Sequence, residues 1–308
     1  MIYTLTLNPA IDYFITLNSS LMIDEVNRGS NDLFKAAGKG LNVSKVLSKM
    51  SIKSKAIALL GGFTGNYIKE CFEKDENIEI ISIPVNGNNR INMKAHYDSK
   101  DLCINGEDPK ADQGVKDKLI EQLRLIDKDD LVVVSGSMMK GFDKDFILAI
   151  ASILNEKGAK MVLDMEQADK RLLAACKPFL IKPNLYELTL LLEDESITSA
   201  NLISHVDEIR SLNVENVLIS LGKDGACLVT TDQVIWLRQP NTVLVNKVGA
   251  GDAMLAAFIG KLSENNNKQE ALRYAGAAGN ATASKLEDIQ MEDIESFLPL
   301  MSTEIENS

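Results

Sequence analysis

Histidine is almost missing from this 308-residue chain: His96 and His205 are the only two. Neither has a serine, cysteine or metal-ligand context around it, so triad hydrolysis and histidine-based metal chemistry are poor fits, and both are read as structural. Cysteine is scarce as well. Cys71, Cys103, Cys176 and Cys227 lie far apart with no C-x-x-C pair, which suggests neither a zinc site nor a disulfide framework and assigns all four as buried thiols. No stretch approaches the ~18 uninterrupted apolar residues that a membrane span needs. The first residues, MIYTLTLNPAID, carry no basic segment ahead of their apolar run, so they read as a strand rather than a signal peptide. Positive charge is outnumbered, with 33 Lys and Arg against 44 Asp and Glu and a net charge of -11, which disfavours a phosphate-backbone partner. The expectation is a soluble, cytoplasmic protein with no nucleic acid and no membrane among its partners. A small anionic ligand stays compatible, because a few cations focused in one cleft outweigh a diffuse negative surface.

What the chain does have is a 45% hydrophobic fraction arranged in short β-rich runs. IYTLTL at 2–7, KAIALL at 55–60, LVVVS at 131–135, KMVLD at 160–164, FLIK at 179–182 and NVLIS at 216–220 read as strands buried on both faces. Segments of helical period lie between them, such as Leu41, Val43, Val46, Leu47 and Met50. This alternation predicts an α/β fold, a mostly parallel sheet flanked by helices, whose ligands sit beyond the carboxyl ends of the strands. Residues 11–18 and 90–105 instead alternate apolar and polar, with a polar turn at 98–101, as half-exposed antiparallel strands do. They predict a small separate β-sheet, a lid, with its strands within about 11–30 and 88–106. The tail STEIENS reads as frayed.

Three segments carry candidate chemistry. At Val248-Gly249-Ala250-Gly251-Asp252-Ala253-Met254 an expected strand, TVLVNKV, meets a helix, and the glycines let first-turn N–H groups face an anion. Asp252 is there either a helix-capping carboxylate or a catalytic base. Ala37-Gly38-Lys39-Gly40-Leu41-Asn42 also opens a helix and suits a hydroxylated or phosphorylated ligand; its plainer reading is a helix start with a surface lysine. Asn184 and Glu187, on one face of a helix after Lys182-Pro183, fit either Mg²⁺ held through water or a reciprocal helix cap. Neither a Walker loop nor a dinucleotide fingerprint is present, since position 33 is Leu and position 254 is Met where each pattern needs glycine. Asp164, at the end of a strand, is either catalytic support or a loop carboxylate. Ser220 to Ala226 reads as a hairpin turn.

Taken in order, TLTLNPAID, AAGKGLNVSKVL, RIN at 90–92, VSGS at 134–137, IKPNLYEL, SLGKDGA and VGAGDAM resemble the ribokinase-like (PfkB) carbohydrate kinases over nearly the whole chain. The resemblance implies one kinase domain over residues 1–308, with ATP and Mg²⁺ as cofactors and a small sugar phosphate as partner. It is nearest to the hexose-phosphate branch, to the 1-phosphofructokinases before the tagatose-6-phosphate kinases. That implies phosphorylation of fructose 1-phosphate at its C6 hydroxyl, with tagatose 6-phosphate or fructose 6-phosphate as the alternative substrates and a non-catalytic sugar-phosphate sensor as the alternative of another class. By the same resemblance Asp252 is the base, beside Gly249, Ala250 and Gly251. Asp12, Gly38, Gly40 and Asn42 hold sugar hydroxyls, while Lys39, Arg90 and Arg28 meet the substrate phosphate with Asn92 and Ser137. Lys182, Asn184, Ser220, Gly222, Gly225 and Asn280 bind nucleotide, and Glu187 with Asn184 holds the metal. An open lid with edge strands and an apolar face further suggests a homodimer through the lids. The chain departs from the family pattern at Met138-Met139, Met165-Glu166, Lys247 and Ala253.

Overall fold

The structure, a computed structural model, describes residues 1–166, 168–245 and 248–306. The chain opens with β1 (Ile2–Thr6), β2 (Ala10–Leu17) and β3 (Gly29–Ala37) before α1 (Lys39–Lys49). It continues through β4 (Ser54–Leu60), α2 (Gly62–Glu73) and β5 (Ile78–Pro84) to a hairpin of β6 (Arg90–Tyr97) and β7 (Lys100–Asn105). Then follow α3 (Gln113–Leu123), β8 (Leu131–Ser135), α4 (Lys144–Lys157), β9 (Lys160–Asp164), α5 (Lys170–Cys176), β10 (Leu180–Ile181), α6 (Leu185–Leu192) and α7 (Val206–Arg210). The C-terminal part holds β11 (Asn216–Ser220), β12 (Ala226–Thr230), β13 (Val234–Arg238), α8 (Ala250–Asn265), α9 (Lys268–Ala283), α10 (Met291–Phe297) and β14 (Ser302–Glu306).

Ten strands form one sheet, in the order β14-β13-β12-β11-β10-β9-β8-β1-β4-β5, and every pairing from β5 to β11 is parallel. β8 shows why LVVVS needs no polar face. Val132 and Val134 pack with Leu119 of α3 and Ile147 of α4 on one side, while Leu131 and Val133 pack with Leu47 of α1 and Phe258 of α8 on the other. Each fully buried Leu or Phe of these two layers contributes on the order of 2 kcal/mol. β2, β3, β6 and β7 form the second sheet, the expected lid.

Several local expectations change. The two lid segments read from sequence pair in parallel with each other, β2 with β6, and the antiparallel partner of β2 is β3, which runs on to Ala37. Its sequence, GSNDLFKAA, lacks the alternation that marks a strand because it is a largely exposed edge. The β6–β7 turn is as read, with Asp98 and Ser99 both in the left-handed region that a two-residue hairpin loop requires. The strand expected at 242–248 is not formed over the described residues 242–245, and Val243 is 80% exposed. The edge of β13 is taken by the tail, whose Ser302–Glu306 pairs along the whole of β13 instead of fraying. Two of the four cysteines, Cys71 and Cys103, are exposed; the other two are buried, and burial pushes the Cys176 thiol up to about 11 and that of Cys227 to about 12. No helix among the described residues is long and apolar enough to cross a membrane.

Candidate active site

The carboxyl ends of β1, β8, β9 and β10 converge with the N-termini of α1 and α8, and Asp12 and Phe14 of the small sheet line one cleft with Asn42 and Gly249. Close approach there demands glycine. Gly38 has φ 142°, and a Cβ on it would lie 2.6 Å from Thr6 Cγ2; one on Gly40 would lie 2.5 Å from Thr6 Oγ1. α1 therefore begins against the end of β1, and Lys39 and Asn42 are presented over the strand ends. Gly249 starts α8 with φ 83° and without any side-chain cap, so there the positive φ favours glycine.

Asp252 is in the first turn of α8, but it does not cap it. Its Oδ2 accepts a hydrogen bond from Asn42 Nδ2 at 2.7 Å, which ties α8 to α1. The carboxyl is only 7% exposed. Burial, with the negative charge of Asp164 adding to it, pushes its pKa up to about 6, against the opposing pull of Asn42, Lys182 and Lys39. It remains a first-turn carboxylate of α8 but makes no cap hydrogen bond.

Asp164 is the hub of this cluster. Lys39 Nζ and Lys182 Nζ both lie 3.6 Å from its Oδ1, and Asp164 is 3% and Lys182 7% exposed. Lys182 also lies against Gly251, where a Cβ would meet Nζ at 3.1 Å. Burial works against the charge on Lys39, yet Asp164, then Asp252, Glu187 and Glu166, outweigh it and hold the ammonium above its usual pKa. Lys39 and Lys182 thus share Asp164, whereas Arg90 is paired with Asp108.

On the lid, Asp12 is buried and both its oxygens are engaged: Oδ1 accepts from Asn92 Nδ2 at 2.9 Å and Oδ2 is paired with Lys94 Nζ. Arg90 is paired with Asp108 at 3.2 Å. Ser137 Oγ meets Asn8 Nδ2 at 3.2 Å. Arg28 stands apart, exposed in the segment that leads to β3, and the fold of one chain does not bring it to these residues. Asn8 Oδ1, Ser135 Oγ, Asn92 Oδ1, Arg90 Nε and Asp164 Oδ2 are buried without a hydrogen-bond partner. An orphaned buried polar atom costs about 1–3 kcal/mol, and five around one cleft mark the surface a polar ligand would satisfy.

The other end of the cleft is built from backbone and turns. Asn184 and Glu187 form the reciprocal cap of α6, Asn184 N–H donating to Glu187 Oε2 and Glu187 N–H to Asn184 Oδ1, each at 2.8 Å. The cap leaves the other Glu187 oxygen uncommitted, so cap and water-mediated Mg²⁺ ligand are compatible, and the charge of Asp164 with its orphaned Oδ2 adds a second hard oxygen to the donor set. Gly222 and Gly225 shape the turn between β11 and β12 beside Ser220, and Gly222 O accepts from Gln239 Nε2 at 2.8 Å. Asn280 is fully engaged: it accepts from Thr242 Oγ1 at 2.6 Å and donates to Gln239 Oε1 and Gly276 O, each at 2.8 Å. It holds the cleft walls together.

Reading the sequence missed Asn8, Ser135, Lys94 and Asp108. Ser135 is the last residue of β8 and Asn8 lies two residues beyond β1, positions where a polar side chain signals a site; Lys94 and Asp108 gave no signal, because their partners, Asp12 and Arg90, are set by the fold. Of the departures from the family pattern, Met139, Met165 and Ala253 are core residues, and Met138 packs against the same layer as Met139. Glu166 is exposed and acts on Lys39 only through its charge. Lys247 lies outside the described residues.

The model of the pfkB family carbohydrate kinases matches residues 5–294. The chain is 34% identical over 299 residues to the 1-phosphofructokinase of Bacillus subtilis, spanning 97% of this chain and 98% of that protein. It is 34% identical over 284 residues to the D-tagatose-1-phosphate kinase of Bacillus licheniformis, spanning 92% of each. Among solved structures, Escherichia coli phosphofructokinase-2 in complex with substrates and products superposes with a TM-score of 0.88 at 26% identity, over 97% of this chain and 98% of that one.

Proposed function

The chain belongs to the pfkB family of carbohydrate kinases, and from that membership we propose that it transfers the γ-phosphoryl group of ATP to the C6 hydroxyl of fructose 1-phosphate, giving fructose 1,6-bisphosphate and ADP. The observation that carries the mechanism is Asp252: buried, not used as a cap, and with its pKa raised to about 6 beside two lysines. A base poised near the working pH removes the hydroxyl proton most effectively.

Asp252 accepts the proton of the attacking hydroxyl. The first-turn N–H groups of Ala250 and Gly251, which have no intrahelical acceptor, face the charge that develops on the transferring phosphoryl, and Lys182 and Lys39 neutralise it. Asp12, Asn42 and Asn92 orient the sugar, and Arg90 with Asn8 and Ser137 forms the polar end of its pocket. Glu187, Asn184 and Asp164 would hold Mg²⁺ through water, and the bound ion would supply further charge neutralisation at the phosphates. The lid excludes water, the competing acceptor.

A coupled ADP-release assay with ATP and Mg²⁺ tests this reading across fructose 1-phosphate, tagatose 1-phosphate, tagatose 6-phosphate, fructose 6-phosphate and fructose. Tagatose 1-phosphate belongs in the panel because one 34%-identical relative is named for it. Preference for fructose 1-phosphate supports the assignment; preference for any other acceptor moves it, and no turnover at all sinks it in favour of a sensor.

The outer lid face carries Tyr13, Phe34, Ile91, Met93 and Ile104, with Ile104 51% and Phe34 47% exposed. A second copy covering that face by its own lid would remove it from water. Wild-type protein sedimenting as a dimer, and Ile104→Asp as a monomer, is the expected result; a wild-type monomer at micromolar concentration rules the dimer out.

A further inference from the structure

Lysines on exposed lid strands are ordinarily solvated, and Lys94 is not. It is on β6 at the period of two that also places Arg90 and Asn92 on the inner face. Its ammonium pairs with Asp12 Oδ2, and it lies 5.1 Å from the centre of the Phe14 ring. Parallel pairing sets Asp12 opposite Asn92 and Phe14 opposite Lys94, so the contact is fixed by register. Arg90, two residues earlier than Asn92, is itself paired with Asp108. The inner face of the lid therefore holds a carboxylate, Asp12, in the same pocket that has to admit a doubly charged phosphate.

We propose that Lys94 is a positioning and specificity-determining residue: it cancels the charge of Asp12 and fixes its orientation, so that Asp12 accepts sugar hydroxyls without repelling the substrate's phosphate. Two consequences separate this from a structural role. Without Lys94 an unpaired carboxylate faces the pocket, so a phosphorylated sugar is penalised more than its unphosphorylated counterpart. Removing both charges together cancels the penalty, although the contact to the hydroxyls is lost.

The inference rests on the sugar-phosphate kinase reading, and the wild-type substrate panel tests that reading alone. Lys94 is tested by the ratio of KM for the preferred sugar phosphate to KM for unphosphorylated fructose, with kcat recorded separately. Lys94→Met is expected to raise that ratio about tenfold, the scale of one unit charge removed several ångströms away in a protein-like dielectric, with kcat for the sugar phosphate within about threefold of wild type. Lys94→Arg restores the ratio, and Asp12→Asn combined with Lys94→Met brings it back toward wild type. A Lys94→Met ratio within twofold of wild type, or a double variant no better than Lys94→Met, overturns the proposal. Should Lys94→Met fail to fold, Lys94→Gln is measured by thermal stabilisation with the sugar phosphate and with fructose, in the absence of ATP. Loss of stabilisation by the phosphate alone supports the proposal, and equal loss for both refutes it.

Discussion

Asp252→Asn is expected to do two things that ordinarily oppose one another: abolish most of the turnover and raise the stability of the fold. The carboxyl titrates at about 6 in the folded protein against an ordinary value of 3.8. Between those two values the folded state holds a proton that the unfolded state has released, so stability falls as pH rises through this window, and the penalty is complete above about pH 6. The difference between those two values corresponds to roughly 3 kcal/mol. An amide carries no charge to bury, so the variant recovers up to that amount at pH 7 and nothing below about pH 4, less whatever is lost from the hydrogen bond to Asn42. In a chain of this size the gain is several degrees in Tm. Removing the base costs about 10²- to 10⁴-fold in kcat. The assays are calorimetry or urea unfolding at pH 4 and pH 7, and ADP release at saturating sugar phosphate. A variant that melts lower than wild type at pH 7 would show that Asp252 serves the fold, and one that keeps near-full turnover would show that it is not the base.

Lys182→Met removes one of the charges that hold the Asp252 pKa down, so the acid limb of the kcat/KM profile should move to higher pH while kcat falls; a limb that stays in place refutes the coupling. Truncation after Met301 strips β14 from the whole length of β13 and exposes an edge of the main sheet. It should lower the urea midpoint without changing KM, and an unchanged midpoint would show that the tail is dispensable.

The parallel sheet was legible because β1, β4, β8, β9 and β11 are apolar on both faces, a pattern that a sheet with one face in water does not produce. β3 and β14 were not legible, because an edge strand has one hydrogen-bonding neighbour and mostly solvent around it, so GSNDLFKAA and STEIE carry no alternation to read. The TVLV run misled because its residues favour a strand, whereas over the described residues 242–245 none forms and Val245 N–H bonds to Ala283 O at the end of α9. Of the site, the helix-opening glycine segments were legible because Gly38 and Gly249 take a positive φ and Gly40 lies too close to the end of β1 for a Cβ. Asp252 was ambiguous from spacing, since a cap and a base occupy the same turn of a helix, and its partner, Asn42 from 210 residues away, is set by the fold and not by the local sequence. Lys94 was invisible because its meaning lies in cross-strand register.

Under the proposed mechanism the two lysines on Asp164 have a second task besides holding phosphate. An entering phosphoryl group brings negative charge to the N-terminus of α8, where Asp252 is already raised by burial and by Asp164. Added alone, that charge would push the carboxyl up further and leave it protonated, unable to accept anything from the sugar. Lys39 and Lys182, together with the first-turn N–H groups, cancel the incoming charge where it arrives and so keep the base ionised at the moment it is needed. Asp164 then follows as a requirement rather than an accident. Two ammonium groups sharing one cleft in the apo protein repel each other, and a buried carboxylate 3.6 Å from both holds them in place until the phosphates take over that part.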